Sequence, residues 1–148
     1  MTPEEVVKVL QDALNAELAA VEMYGAHAKA IQEPSIAEGV LAILDVEQEH
    51  ATNLSRRIRQ LGEKPLESGG PATVVGRVVS AASRNVPTAE LLRLELAEEQ
   101  AAIKHYAAAS AEIMEDDETV SLLSEHLRDE MAHALWMKQQ IRALAGGR

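Results

Sequence analysis

Val40-Leu41-Ala42-Ile43-Leu44-Asp45-Val46-Glu47-Gln48-Glu49-His50-Ala51-Thr52-Asn53-Leu54 repeats its apolar residues at steps of three and four, and two polar residues break the pattern. Val40, Ile43, Glu47, His50 and Leu54 share one helical face, so an acid and an imidazole stand where a core is expected. The stripe continues outward from Ile36 to Ile58 and Leu61. Three other segments behave alike. The first carries Val6, Leu10, Ala13, Glu17, Val21, Tyr24, Ala28 and Ile31, and the third Leu92, Leu96, Glu99, Ile103, Tyr106, Ser110 and Ile113. The fourth carries Val120, Leu123, Leu127, Glu130, His133, Met137, Ile141 and Leu144. Every stripe has a glutamate near its middle.

Composition narrows the fold. The 148 residues suit one domain over 1–148, and 47% are apolar although aromatics make up only 2%. Such an Ala-, Leu-, Val- and Ile-based core favours packed helices over a sandwich of sheets. Breakers divide the chain into helices at about 3–31, 35–61, 87–114 and 117–144. Between them, 62–86 holds Pro65, Gly69, Gly70, Pro71 and Gly76 and reads as a long crossover, with a short helix expected around Val74–Ser83. The two short links make antiparallel neighbours of helices one and two, and of three and four. A crossover of about 25 residues can reach roughly 80 Å. A helix of about 28 residues is only about 42 Å long, so helix three can run parallel to helix two. The expected fold is all-α: a four-helix bundle of two antiparallel pairs joined by a long crossover.

The same numbers exclude several functions. With no cysteine there is no disulfide scaffold, thiolate metal site or cysteine nucleophile. Fourteen basic against 24 acidic residues give a net charge of −10, the wrong sign for tracking phosphates, so no nucleic-acid partner is expected. No stretch is apolar enough to span a membrane, and Thr2-Pro3-Glu4-Glu5 is a helix start rather than a leader. These features predict a soluble, cytoplasmic protein.

Four ionised carboxylates buried in hydrocarbon would each cost several kcal/mol even after relaxation. No Lys or Arg stands near the middle of the stripes to neutralise them. Two divalent cations would balance four carboxylates, with neutral imidazoles completing the coordination. Carboxylate-rich ligation with one imidazole per ion suits iron or manganese better than structural zinc. An internal repeat strengthens this reading. The offset from Glu17 to Glu99 is the same as that from Tyr24 to Tyr106. Glu47 to Glu130 and His50 to His133 also share one offset, a single position longer than the first. Each hairpin thus supplies a glutamate, a tyrosine two helical turns on, and then Glu-x-x-His.

The segments Leu14-Asn15-Ala16-Glu17-Leu18 with Tyr24 and His27, Glu47-Gln48-Glu49-His50, and Leu127-Arg128-Asp129-Glu130-Met131-Ala132-His133 with Trp136 resemble the ferritin-like di-iron superfamily, and within it most of all the bacterioferritins. The resemblance covers about residues 9–138. It implies that Glu17, Glu47 and His50 hold one iron, and Glu99, Glu130 and His133 the other, with Glu47 and Glu130 bridging. It also implies oxidation of Fe(II) by O₂ or peroxide for iron storage or detoxification, in a homo-oligomer that is a dimer or a larger shell. Bacterioferritins carry a haem-ligating Met directly after the first glutamate of the helix-two motif, where Gln48 stands, so haem is not expected. With Arg148 so soon after His133, the fifth helix of that family is not expected. A rubrerythrin- or manganese-catalase-like peroxide scavenger without storage is the alternative, and a metal-rigidified bundle without enzymatic activity is a third.

Leu94-Glu95-Leu96-Ala97-Glu98-Glu99 offers three carboxylates on helix three. Spacing to Tyr106 favours Glu99 over Glu98, while Glu95-x-x-Glu98 resembles the extra-carboxylate pattern of rubrerythrins. Asp129 resembles the family's hydrogen-bond acceptor for the helix-two imidazole, and Val46 stands at the equivalent place before Glu47. Tyr24 and Tyr106 are expected within reach of the site, as core hydroxyls or in a redox or hydrogen-bonding role. His27 is either a surface or core histidine or one flanking an entry route. His105, His126 and Asp116-Asp117 are expected to be solvated or to serve turns and caps.

Overall fold

The structure is a computed structural model that describes residues 1–68, 74, 77, 78 and 81–146. Four helices carry the fold: α1 (Pro3–Ala30), α2 (Pro34–Gln60), α3 (Thr88–Glu112) and α4 (Asp117–Gly146). Val74, Arg77, Val78, Ala81 and Ala82 are helical as well, and the rest of the short helix expected near them lies outside the described residues. Local chemistry sets the ends. The Thr2 hydroxyl accepts from the Glu5 amide while the Glu5 carboxylate accepts from the Thr2 amide, a reciprocal cap ahead of Pro3. Gly62, at φ +88°, takes the left-handed turn that ends α2. Asp116 accepts from the Thr119 amide at the head of α4 and binds Arg57 of α2 at 2.7 Å. That aspartate is a cap, and it also ties the end of α2 to the start of α4.

Each hairpin packs closely within itself, α1 on α2 and α3 on α4, and the two pairs meet face to face. Apolar residues form two separate clusters. One gathers Leu10, Leu14, Leu54, Ile58, Tyr106 and Leu123; the other gathers Tyr24, Val40, Ile43, Leu91, Leu92 and Met137. The start of α1 therefore meets the ends of α2 and α3, so α2 and α3 run parallel, as the length of the crossover predicts. Between the clusters lies a polar waist. The crossover begins against α1, where the Gln11 side chain bonds the Lys64 carbonyl and the Leu66 amide. Among the described residues no helix is long and apolar enough to cross a membrane.

Gly39 sets the approach of α2 to α4. A Cβ added there would lie 2.1 Å from Cζ2 of Trp136 and 2.7 Å from Cη2, so the indole rests on the bare backbone. Gly39→Ala is expected to destabilise the bundle by about 1–3 kcal/mol, because a large ring must shift to make room. An unchanged thermal unfolding midpoint would contradict this packing.

Candidate metal centre

The waist holds six of the residues singled out by the stripes. Glu17, Glu47, Glu99 and Glu130 are at most 4% exposed, with His50 at 1% and His133 at 8%. Donor atoms of Glu17, Glu47, His50 and Glu130 lie within 4.8 Å of one another, and so do those of Glu47, Glu99, Glu130 and His133. Glu47 and Glu130 belong to both groups and stand where bridging ligands would; Glu17 and Glu99 each belong to one of the two. His50 turns Nδ1 inward, 2.9 Å from Glu130 and 3.5 Å from Glu17. His133 turns its Nδ1 to within 3.1 Å of Glu47 and 3.6 Å of Glu99.

The donors fit a pair of metal ions for a reason visible in their own bonding. Glu47 Oε1, Glu99 Oε2, Glu130 Oε1, His50 Nδ1 and His133 Nδ1 are buried and make no well-directed hydrogen bond. A buried polar atom without a well-directed hydrogen bond is costly, and here five converge on one place, held only by the acid–imidazole contacts just given. Cations between them would remove that cost at every atom at once.

Without a metal the cluster balances itself with protons. Burial and the neighbouring Glu47 push the Glu17 carboxyl up, and burial with the charges of Glu130 and Glu47 pushes Glu99 up to about 9. Burial opposes ionisation of the other two acids as well. Contacts with Glu17, His133 and His50 overcome it and hold Glu47 well below the usual carboxylate range, and contacts with His133, His50 and Glu99 hold Glu130 at about 2. Against the same burial, the surrounding acids raise His133 to about 11 and His50 further still. Two imidazoles pushed toward their charged form thus face two carboxyls held low and two pushed up.

The hydroxyls are placed crosswise. Tyr24 of α1 donates to Glu99 of α3 at 2.7 Å, and Tyr106 of α3 donates to Glu17 of α1. Each hairpin therefore orients the unshared acid of the other. Asp129 accepts from His50 Nε2 at 2.9 Å, which fixes the ring with Nδ1 facing the acids. A cavity of about 190 Å³ between α1 and α3 leads to Glu17, Glu99 and both tyrosines, past Ala16, Ala20 and Ala102, with Asp12 and Glu98 also in its wall.

A family model for rubrerythrin matches residues 8–140. The chain belongs to the rubrerythrin family. It lies within the ferritin-like di-iron-carboxylate superfamily, and its buried Glu/His cluster is the di-metal carboxylate site of that fold. Solved structures share the fold at low sequence identity. A protein from Xanthomonas campestris pv. campestris is 21% identical, with a TM-score of 0.88 over 99% of this chain and 95% of that one. A dodecameric thioferritin, the bacterioferritin-related protein of Bacteroides fragilis, is 16% identical, with a TM-score of 0.82 over 98% and 89%. Rhodobacter capsulatus bacterioferritin, with a metal-free dinuclear site and haem iron, is 23% identical, with a TM-score of 0.80 over 95% and 85%. No curated protein matches the chain in sequence.

In this rubrerythrin-family bundle the three acids of helix three go to three different places. Glu99 enters the metal cluster, Glu98 is exposed, and Glu95 is fully buried against His27 at 2.8 Å. The Glu95-x-x-Glu98 pair therefore adds no carboxylate to the waist. His27 is also fully buried, bonded by Nε2 to Ser83 of the crossover at 3.0 Å, so it ties α1 to that segment and is not part of the wall of the cavity that leads to Glu17 and Glu99. His105 is half-buried, with Nε2 3.3 Å from the Val9 carbonyl. The expectation that His126 is solvated is wrong: it is 2% exposed and stacks on His50 with ring centroids 3.9 Å apart. The signal was present, since Leu123, His126, Glu130 and His133 step by three and four as well as the series through Leu127 does.

Proposed function

We propose that the bundle binds two Fe(II) ions at its waist and oxidises them with O₂ or peroxide, for iron storage or detoxification. Two overlapping groups of buried carboxylate and imidazole donors, meeting between two apolar clusters, carry this reading. Glu17, Glu47 and His50 would hold one ion and Glu99, Glu130 and His133 the other, with Glu47 and Glu130 shared. Four carboxylates and two imidazoles suit iron, and manganese is the competing ion. Oxidation of two Fe(II) by peroxide gives two Fe(III) and two hydroxides; O₂ with two protons gives two Fe(III) and hydrogen peroxide. Tyr24 and Tyr106 keep Glu99 and Glu17 in place, and Asp129 keeps the His50 ring in register. The cavity between α1 and α3 reaches Glu17 and Glu99, and the net charge of −10 favours approach of Fe(II).

Anaerobic loading followed by exposure to air is expected to give a ferric absorbance that saturates at two irons per chain. No ferric signal in air or with peroxide would reject oxidation at this site. Membership of the rubrerythrin family favours a second reading, removal of peroxide without storage, with electrons delivered by a separate donor. Particle size separates them: a hollow homo-oligomeric shell supports storage, and a dimer supports scavenging.

A further inference from the structure

We propose that the outer face of α3 and α4 is a docking surface for a second copy of this chain, which it holds by the acidic outer stripe of that copy's α2. The inference does not depend on the metal chemistry proposed above. Along α4, Ser124, Arg128, Met131, Leu135, Lys138 and Arg142 follow one another at steps of three and four, so they share one face. Met131 is 57% exposed and Leu135 54%. Along α3, Ala97, Gln100, Lys104, Ala107 and Ala111 form an exposed stripe of the same spacing. Neither stripe contains an acid. In a chain with a net charge of −10, Lys104, Arg128, Lys138 and Arg142 are all exposed and form no ion pair among the described residues.

The repeat shows that the two stripes border one groove. Its offsets carry Gln100, Lys104 and Ala107 back to Leu18, Glu22 and Gly25, and Met131, Leu135 and Lys138 back to Gln48, Thr52 and Ser55. Those residues line the groove between α1 and α2, which the crossover borders with Pro65, Leu66, Arg77 and Ala81. In the first hairpin the polar Gln48 and Thr52 share their groove with the crossover. In the second the same places hold Met131 and Leu135, and no described residue covers them.

Pairing this face with itself would set cations against cations. The outer side of α2 offers the complement, because Glu38, Leu41, Asp45 and Glu49 repeat at steps of three and four. All four are exposed, Leu41 at 47%, and the three acids form no ion pair among the described residues. Glu38 and Asp45 bracket Leu41 as Arg128 and Lys138 bracket Met131 and Leu135. The rise of a helix sets Glu38 about 16 Å from Glu49 and Arg128 about 15 Å from Lys138, so the charges match in spacing as well as in sign. Leu41 then buries against Met131 and Leu135 inside a charged rim. Because the two surfaces differ, the contact is head-to-tail and runs on from copy to copy until a ring or shell closes.

Sedimentation of the full chain tests this. The wild type is expected to form assemblies larger than one copy, which shrink as salt is raised because exposed charges are screened. Lys104→Glu with Lys138→Glu spoils the basic face, and Glu38→Lys with Asp45→Lys spoils the acidic one. Each double variant is expected to sediment as a smaller species than the wild type. Mixed in equal amounts, the two are expected to form a species larger than either, since one keeps the acidic face and the other the basic face. A wild type that stays a single copy overturns the proposal and leaves the groove to a separate acidic partner. An unchanged mass in either variant, or a mixture no larger than its components, overturns it too. Circular dichroism establishes that the variants fold. Their metal content, expected to match the wild type, separates failure of this contact from failure of the centre at the waist.

Discussion

Glu47→Gln is expected to abolish stable binding of both ions, with affinity falling by ~100-fold or more. Loss of an outer partner alone costs metal sites about 10–100-fold as a rule of thumb, and Glu47 stands in both donor groups. Glutamine keeps the volume of the side chain but removes its charge. The remaining three carboxylates cannot balance two divalent ions. Glu99→Gln is expected to weaken mainly the ion near His133, and Glu98→Gln, at an exposed position, to leave binding unchanged. Metal analysis after dialysis, alongside circular dichroism, reads all three. Two tightly held ions in Glu47→Gln would refute the shared-ligand geometry, and metal loss in Glu98→Gln alone would move the helix-three ligand by one residue.

Metal uptake should also be steeply dependent on pH. In the metal-free cluster burial raises the carboxyls of Glu17 and Glu99, and the surrounding acids raise His50 and His133, so these four groups hold their protons more tightly than free side chains do. Glu47 and Glu130 are already ionised. Loading two divalent ions must therefore expel protons from the raised groups, and the apparent affinity for an ion rises by about tenfold per pH unit for each proton that leaves with it. Uptake is strongest on the alkaline side and fails in acid. Stability of the metal-free protein runs the other way. The folded values of about 9 for Glu99 and about 11 for His133 exceed the ordinary values of 4.5 and 6.5. The contribution of Glu99 is complete below 4.5 and that of His133 below 6.5, and both fade as pH climbs through the folded values. Glu130, depressed to about 2, acts oppositely and withdraws its support only in acid. The metal-free protein should thus melt lower at pH 9 than at pH 6, and loading should reverse that order. Proton release measured in a weakly buffered titration checks this. Loading without release of protons would contradict the self-neutralised cluster.

The bundle was readable because its apolar residues keep helical spacing over four long segments and because the breakers are concentrated in one place. The repeat that pairs Glu17 with Glu99 and Glu47 with Glu130 then marked the waist, since a buried glutamate is conspicuous against leucine and alanine. What escaped shares one cause. In each missed instance a polar residue stands next to an apolar one, and either satisfies the three-four rule. Leu96, Leu127 and Ala28 look inward on apolarity alone, yet Glu95, His126 and His27 are the buried members and their neighbours only half-buried. Hydrophobicity cannot rank two adjacent residues when the interior holds partners for the polar one. His27 has Glu95 and Ser83, and His126 has Tyr106 and the face of His50. Those partners come from other helices and from the crossover, so only the assembled molecule displays them.

The crossed tyrosine bonds carry one last implication. Glu17 is steadied by the second hairpin and Glu99 by the first, so neither hairpin alone holds its own unshared acid in place. Two identical hairpins brought together would close such a centre equally well, but every substitution in one would be copied in its twin. Linking them in a single polypeptide frees each half to drift. Ile43 opposite His126, and Val46 opposite Asp129, are differences that only a fused pair can hold.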